Sequence, residues 1–322
     1  MPASIFDANN ALLTQARQGK RLTPIWLVIP LGIVIPILSQ MGAIPLVLFN
    51  VLRRTSDLAT VPTDDINALS NLALPQTALE QMLFLISLFA GIYLLLWLWM
   101  RFVEGRPLAS AGLQRDDVLF RYGRGFGVGL GMFVLAVVPG SLFGLYDLTV
   151  NPVLGLGTII GVVMVLLGWV VQGSAEELLF RGWVLPVVGA RYAVWLGIVI
   201  SALMFALAHS LNPSIGPLAI LNLLLFGLFT AFYTLWEKSL WGVFGLHAVW
   251  NWVQGNIFGL EVSGLASSGE SLLVTQATGP DILTGGTFGP EGGLLVTLVL
   301  GVAIGVLFWL SERGGPELPD IA

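Results

Sequence analysis

Apolar runs about as long as a bilayer is thick recur from Ile25 to Leu310, and they leave this chain few folds to choose from. A membrane helix needs about 20 mostly apolar residues. Eight stretches read as spans: Ile25 to Val51, Leu79 to Met100, Gly125 to Tyr146, Leu154 to about Leu185, Val194 to His209, Leu218 to Trp236, Leu240 to Phe258 and Leu294 to Leu310. Their apolar residues are continuous rather than alternating at every second position, which indicates helices and not a barrel. The expected fold is all-α, a polytopic membrane protein with about eight transmembrane helices. With 56% hydrophobic and 10% charged residues, the composition belongs to that class and not to soluble domains.

The charges orient the spans. Arg17, Lys20 and Arg21 precede the first span and favour a cytoplasmic N-terminus. In the eight-span arrangement all of the 14 Lys and Arg residues except Arg53 and Arg54 then fall inside. Both termini are expected in the cytoplasm, with residues 1–24 as an N-terminal segment, 25–310 as the helical domain and 311–322 as a tail. Within the helical domain, about 154–258 carries the motifs described below. Residues 259–293, rich in Gly, Ser and Thr, read as a flexible extracytoplasmic loop. The polar Val103–Gly123 stretch predicts a short interfacial helix. Polar residues before the first span argue against a cleavable signal. No soluble domain, internal repeat or basic-aromatic pattern for nucleic acid is present, and the lack of cysteine excludes disulfides and thiolate chemistry. Two overlapping G-x-x-x-G pairs, Gly125 with Gly129 and Gly127 with Gly131, predict close helix packing. Thr77 and Glu80 form a capping box at the start of the second span.

Ionisable residues inside such a chain are costly, and they are usually paired and functional. The fourth span carries Glu176-Glu177-Leu178-Leu179-Phe180-Arg181. Glu177 and Arg181 are four apart in the favourable order and can pair along one face. Their bland reading is a structural ion network. Glu176 is turned about 100° from Glu177 and lacks a local partner, so it is freer to face a cavity. The only two histidines, His209 and His247, follow on later apolar helices, in the pairs Phe205-x-x-x-His209 and His247-x-x-x-Asn251. At 1.5 Å per residue, the topology puts Glu176, His247 and Asn251 about 10–16 Å from the cytoplasmic boundary, with His209 several ångströms deeper.

Several chemistries can be compared on residue types. Ser174 sits in Gly173-Ser174-Ala175, which lacks a serine-protease context, and no span interior holds the paired aspartates of an aspartyl protease. His-Glu-x-x-His is absent, although Glu176, His209 and His247 supply three ligand types that zinc accepts. A metal-free route needs a glutamate to activate water and neutral donors to hold the oxyanion. No cofactor is expected. Buried Glu and His also mark ion paths, so a transporter or proton relay is one alternative; a non-catalytic scaffold or immunity-type membrane protein is another.

Taken in order, Glu-Glu-x-x-x-Arg at Glu176–Arg181, Phe-x-x-x-His at Phe205–His209 and His-x-x-x-Asn at His247–Asn251 resemble the three motifs of the CPBP family. That family includes type II CAAX prenyl endopeptidases and bacterial Abi-type membrane proteases. The resemblance covers roughly residues 160 to 254. It implies an intramembrane glutamic endopeptidase whose helices surround a catalytic cavity, acting on a membrane-associated peptide or protein. By the same resemblance, Glu176 would be the general base and His209 would help position water. His247 and Asn251 would form the oxyanion site, while Glu177 and Arg181 would hold the helix and Phe205 would support it. The expected location is a bacterial inner (cytoplasmic) membrane.

Overall fold

The computed structural model describes residues 5–54, 73–266 and 270–313. The chain forms α1 (Ala11–Arg17), α2 (Ile25–Gln40), a 3-10 turn at Met41–Ala43 and α3 (Ile44–Arg53). Then come α4 (Ala78–Leu98), which ends in a π-helical turn at Trp99–Glu104, and α5 (Val118–Leu142). Strand β1 (Tyr146–Val150) leads to α6 (Leu156–Glu177), which passes through a π turn at Leu178–Val184 into α7 (Leu185–Arg191). Next are α8 (Val194–Ala208), α9 (Pro217–Glu237) and α10 (Trp241–Trp252), with a π turn at Val253–Ile257. The chain closes with β2 (Leu273–Ala277), α11 (Asp281–Thr284) and α12 (Leu294–Glu312).

Among the described residues, six helical stretches are long and apolar enough to cross a membrane: Ile25–Arg53, Ala78–Glu104, Val118–Leu142, Leu156–Arg191, Pro217–Glu237 and Leu294–Glu312. The remaining two expected spans are helical but shorter. The apolar helix Val194–Ala208 has 15 residues, and α10 has 12 before its π turn. The polar stretch before α5 holds a single 3-10 turn, Leu108–Ala111, instead of an interfacial helix, and α5 begins at Val118 rather than Gly125.

Helix α10 is the centre of the molecule. Every residue from Gly242 to Asn251 is buried, and the helix packs on α5, α6 and α9. Small residues allow that closeness. A methyl group on Gly125 would collide with Gly242 O, and one on Gly129 would lie 2.6 Å from Leu246 O. A methyl group on Gly127 or Gly131 would meet open space, so only one of the two glycine pairs packs against a helix. Apolar helices gain little by meeting in lipid except through such contacts.

The glycine-rich region after α10 carries more regular structure than its composition suggests. Strand β2 pairs antiparallel with β1, Tyr146 opposite Ala277 and Val150 opposite Leu273. Glu291, buried, anchors the region to α10. Its carboxylate accepts from Trp250 Nε1 at 2.9 Å and from the backbone N and Oγ of Ser263, both at 2.7 Å. Asn212, just past α8, donates to Ser263 O at 2.9 Å and ties the α8–α9 loop into the same cap. Thr77 caps α4 through Glu80 N at 3.2 Å. The Glu80 carboxylate accepts from Gln76 N and pairs with Arg53 and Arg54, the two basic residues that break the charge bias.

The α5–α10 contact makes a sharp prediction. Gly129→Leu should lower the melting temperature in detergent and Gly127→Leu should leave it unchanged, because overpacking costs about 1–3 kcal/mol and only the first glycine faces a helix. Equal melting of the two variants would refute this account of the interface.

Candidate functional site

Glu177 ends α6 with its side chain wholly buried. Its Oε1 accepts from His247 Nδ1 at 2.8 Å and from Arg181 at 3.3 Å. Arg181, equally buried, donates a second hydrogen bond to Gly227 O of α9 at 3.2 Å. Its guanidinium lies 4.5 Å from the centre of the Phe205 ring. Four helical segments thus meet at one ion pair: α6 with its π turn, α8, α9 and α10. A cation over an aromatic face in a desolvated place adds about 2 kcal/mol. The pair also needs these partners, because an uncompensated charge in an apolar interior is strongly destabilising.

Phe205 is the ring around which the histidines are arranged. Its centroid lies 4.7 Å from His209, 5.9 Å from His247 and 5.8 Å from Phe226, and Phe226 in turn lies 5.2 Å from His247. Gly173 on α6 completes the approach. A methyl group there would be 2.9 Å from Ala248 N and 3.2 Å from His247 Cβ. A larger residue at 173 would push α6 away from the histidine.

The hydrogen bonds also set the tautomers. A carboxylate offers only acceptors, so the bond to Glu177 places a hydrogen on His247 Nδ1. Nε2 of the same ring faces Glu176, 3.7 Å from Oε2. That separation is beyond direct hydrogen bonding. Glu176 Oε2 is buried and has no hydrogen-bond partner among the described residues. His209 donates from Nδ1 to Phe205 O at 2.9 Å, which leaves its Nε2 as the acceptor when the ring is neutral. Asn251 Nδ2 donates to Gln172 Oε1 at 2.8 Å and keeps a second hydrogen available.

The structure therefore brings together Glu176, Glu177, Arg181, Phe205 and His247. Asn251 stands one turn along α10 from His247 and reaches the cluster through Gln172. His209 joins the cluster through the Phe205 ring and not, among the described residues, through a hydrogen bond to its carboxylates. It follows the last residue of α8, one turn beyond Phe205, is half-buried, and has no hydrogen bond to Glu176 among the described residues. Three residues of this neighbourhood were not singled out by sequence. Gln172 precedes Glu176 by four residues, so its shared face was available as a signal. Phe226 and the carbonyl of Gly227 carry no such mark in an apolar helix. Among the described residues, no three His, Asp or Glu side chains gather as a metal ion would require.

These features are those of a polytopic membrane protein with a buried polar cluster, and comparison with known families gives the class: it is a membrane peptidase. Residues 158–253 match the family described as Type II CAAX prenyl endopeptidase Rce1-like. The match starts in α6 and ends at the π turn of α10; it includes every residue of the cluster and less than a third of the 322-residue chain. No curated protein matches the chain.

The buried ion pair predicts its own test. Arg181→Ala strands Glu177 with only His247 as partner and should destabilise the folded protein by about 3–5 kcal/mol, read as a lowered melting temperature in detergent. An unchanged melting temperature would mean that Glu177 does not depend on Arg181.

Proposed function

We propose that the cluster is the active site of an intramembrane glutamic-type endopeptidase, cutting a peptide bond in a membrane-associated protein or peptide. One observation carries the reading. Glu176 presents a buried, unpartnered carboxylate oxygen to a histidine nitrogen across 3.7 Å, inside a domain whose family is a peptidase. The two groups are too far apart to bond directly, and a water molecule seated beside them can reach both.

In this mechanism Glu176 takes a proton from water as the water oxygen attacks the scissile carbonyl carbon. His209, whose Nε2 can accept, helps to orient that water from the neighbouring turn. Negative charge develops on the carbonyl oxygen, where Asn251 Nδ2 supplies a donor through its second hydrogen. His247 supplies another from Nε2 when its ring carries both protons, with Nδ1 held by Glu177. As the C–N bond breaks, Glu176 returns the proton to the leaving amine. Glu177, Arg181 and Phe205 hold the histidines in place and take no part in proton transfer. No step calls on a metal.

The same reading gives a topology with both termini in the cytoplasm of a bacterial cell and the protein in its inner membrane. The bias of Lys and Arg toward one side supports the orientation, and the likeness to Abi-type membrane proteases supports the host. We also retain residues 1–24, 25–310 and 311–322 as segment, helical domain and tail.

Cleavage of candidate substrates by the purified protein in detergent tests the proposal directly: prenylated tails, leader peptides and single-span membrane proteins. Glu176→Gln should abolish turnover, yet leave melting nearly unchanged, since the side chain makes no hydrogen bond among the described residues and the amide has almost the same volume. Full activity in this variant would remove Glu176 as the base, and lack of cleavage by the wild type against every class would favour a transporter or scaffold. Asn251→Ala should reduce kcat about 10²–10³-fold, the usual effect of losing one oxyanion donor, with little change in KM. A raised KM at constant kcat would instead make Asn251 a residue that binds substrate.

A further inference from the structure

Far along the chain from the cluster, three cations converge on one open pocket. Lys20 and Arg21 lie in the connector between α1 and α2, and Arg101 lies in the π turn that ends α4. With Phe102, Val103 and Gly105 they line a cavity of about 440 Å³. All three basic side chains are exposed, and no acidic residue lines the pocket. None of the three forms a salt bridge among the described residues. A concentration of unpaired positive charge on a protein with net charge −5 is a local feature and not a reflection of its overall balance.

The pocket rests on a rigid frame. Gly105 adopts φ 70°, a left-handed conformation that L side chains rarely take, and the Lys20 stem packs where a side chain would stand, 2.9 Å from an added Cβ. Beneath it, Glu104 is fully buried. Its carboxylate accepts from Thr23 Oγ1 at 2.6 Å, Arg106 Nε at 2.6 Å and Trp183 Nε1 at 3.0 Å, and its carbonyl accepts from Arg21 N at 3.3 Å. The two segments that supply the cations are therefore locked together.

The position is that of a headgroup layer. Lys20 and Arg21 immediately precede the first span, and Arg101 sits at the end of the second, so all three are on one face of the membrane. Phe102 is 71% exposed and makes an edge contact with Trp97, itself 42% exposed, at 6.0 Å. Exposed aromatic rings at a span end mark the membrane–water boundary. Basic pockets between helices at this level bind anionic lipid headgroups.

We infer that the Lys20–Arg21–Arg101 pocket binds the phosphate-bearing headgroup of an anionic phospholipid. The ligand chemistry is a phosphate ester, which a free phosphate ion shares. The aromatic, lipid-facing edge of the pocket points to the lipid as its source. The inference does not depend on the peptidase reading; it requires only that the chain spans a membrane.

Native mass spectrometry of the full chain, titrated in detergent with phosphatidylglycerol, phosphatidylcholine or inorganic phosphate, tests it. The wild type should hold phosphatidylglycerol and discriminate against phosphatidylcholine. Each cation contributes about fivefold near an anionic surface. The triple variant Lys20→Gln/Arg21→Gln/Arg101→Gln should therefore bind phosphatidylglycerol about a hundredfold more weakly, and Arg101→Gln alone about fivefold. Arg115→Gln/Arg313→Gln, which removes exposed cations elsewhere, should bind as the wild type does. Equal retention of both lipids, wild-type binding by the triple variant, or an equal loss in the Arg115/Arg313 control would overturn the assignment. Binding of inorganic phosphate with no binding of phosphatidylglycerol would overturn the lipid as the ligand.

Discussion

A carboxylate and a guanidinium, both shut away from solvent, organise the part of this protein that matches the peptidase family. Glu177 and Arg181 lie in a largely apolar interior, where neither charge is tolerable alone. Each contact that compensates them draws in another helix: hydrogen bonds with His247 and Gly227 bring α10 and α9, and the cation–π contact with the face of Phe205 brings α8. Lipid gives helices no hydrophobic reason to prefer one another. A demand for polar partners, together with close glycine contacts, supplies one instead.

That demand also explains where the helices depart from regular geometry. The π turn Leu178–Val184 starts directly after Glu177 and contains Arg181, and a second, Val253–Ile257, follows α10 two residues after Asn251. Such wide turns are uncommon and cluster at functional sites. Here they let a helix swing a side chain toward a fixed partner without breaking its backbone ladder in an environment that offers no water. Glu104, at the end of a third π turn, shows the same economy in a different place, with three donors meeting one buried carboxylate.

Buried acids tie the periphery to the centre as well. Glu291 takes hydrogen bonds from Trp250 on α10 and from Ser263, and Ser263 in turn receives Asn212 from the loop behind His209. The elements bearing the two histidines are therefore linked twice, through the Phe205 ring within the helices and through the cap above them. A glycine-rich segment can do this because glycine supplies turns that other residues resist; Gly285 and Gly289 both have φ near 90°.

The membrane class, the helical architecture and most of the candidate cluster were legible in the chain itself. Span length and continuous apolarity act locally, and helical periodicity alone pairs Glu177 with Arg181. Few enough polar residues interrupt the spans that they could be named one by one. What the chain could not give was the arrangement between helices. The i, i+4 rule left Glu176 free and Glu177 paired, but only packing decided that Glu177 also binds His247 and that Asn251 meets Gln172. Likewise, two glycine pairs looked alike in sequence, yet one faces α10 and the other faces open space, because the rotation of α5 about its axis is set by its neighbours. Charge bias marked Arg53 and Arg54 as exceptions; their pairing with Glu80 across a long sequence gap became visible only in the fold. Local physics determined the helices and their chemistry, whereas the partners of buried charges were chosen by contacts between distant segments, which no single stretch of sequence contains.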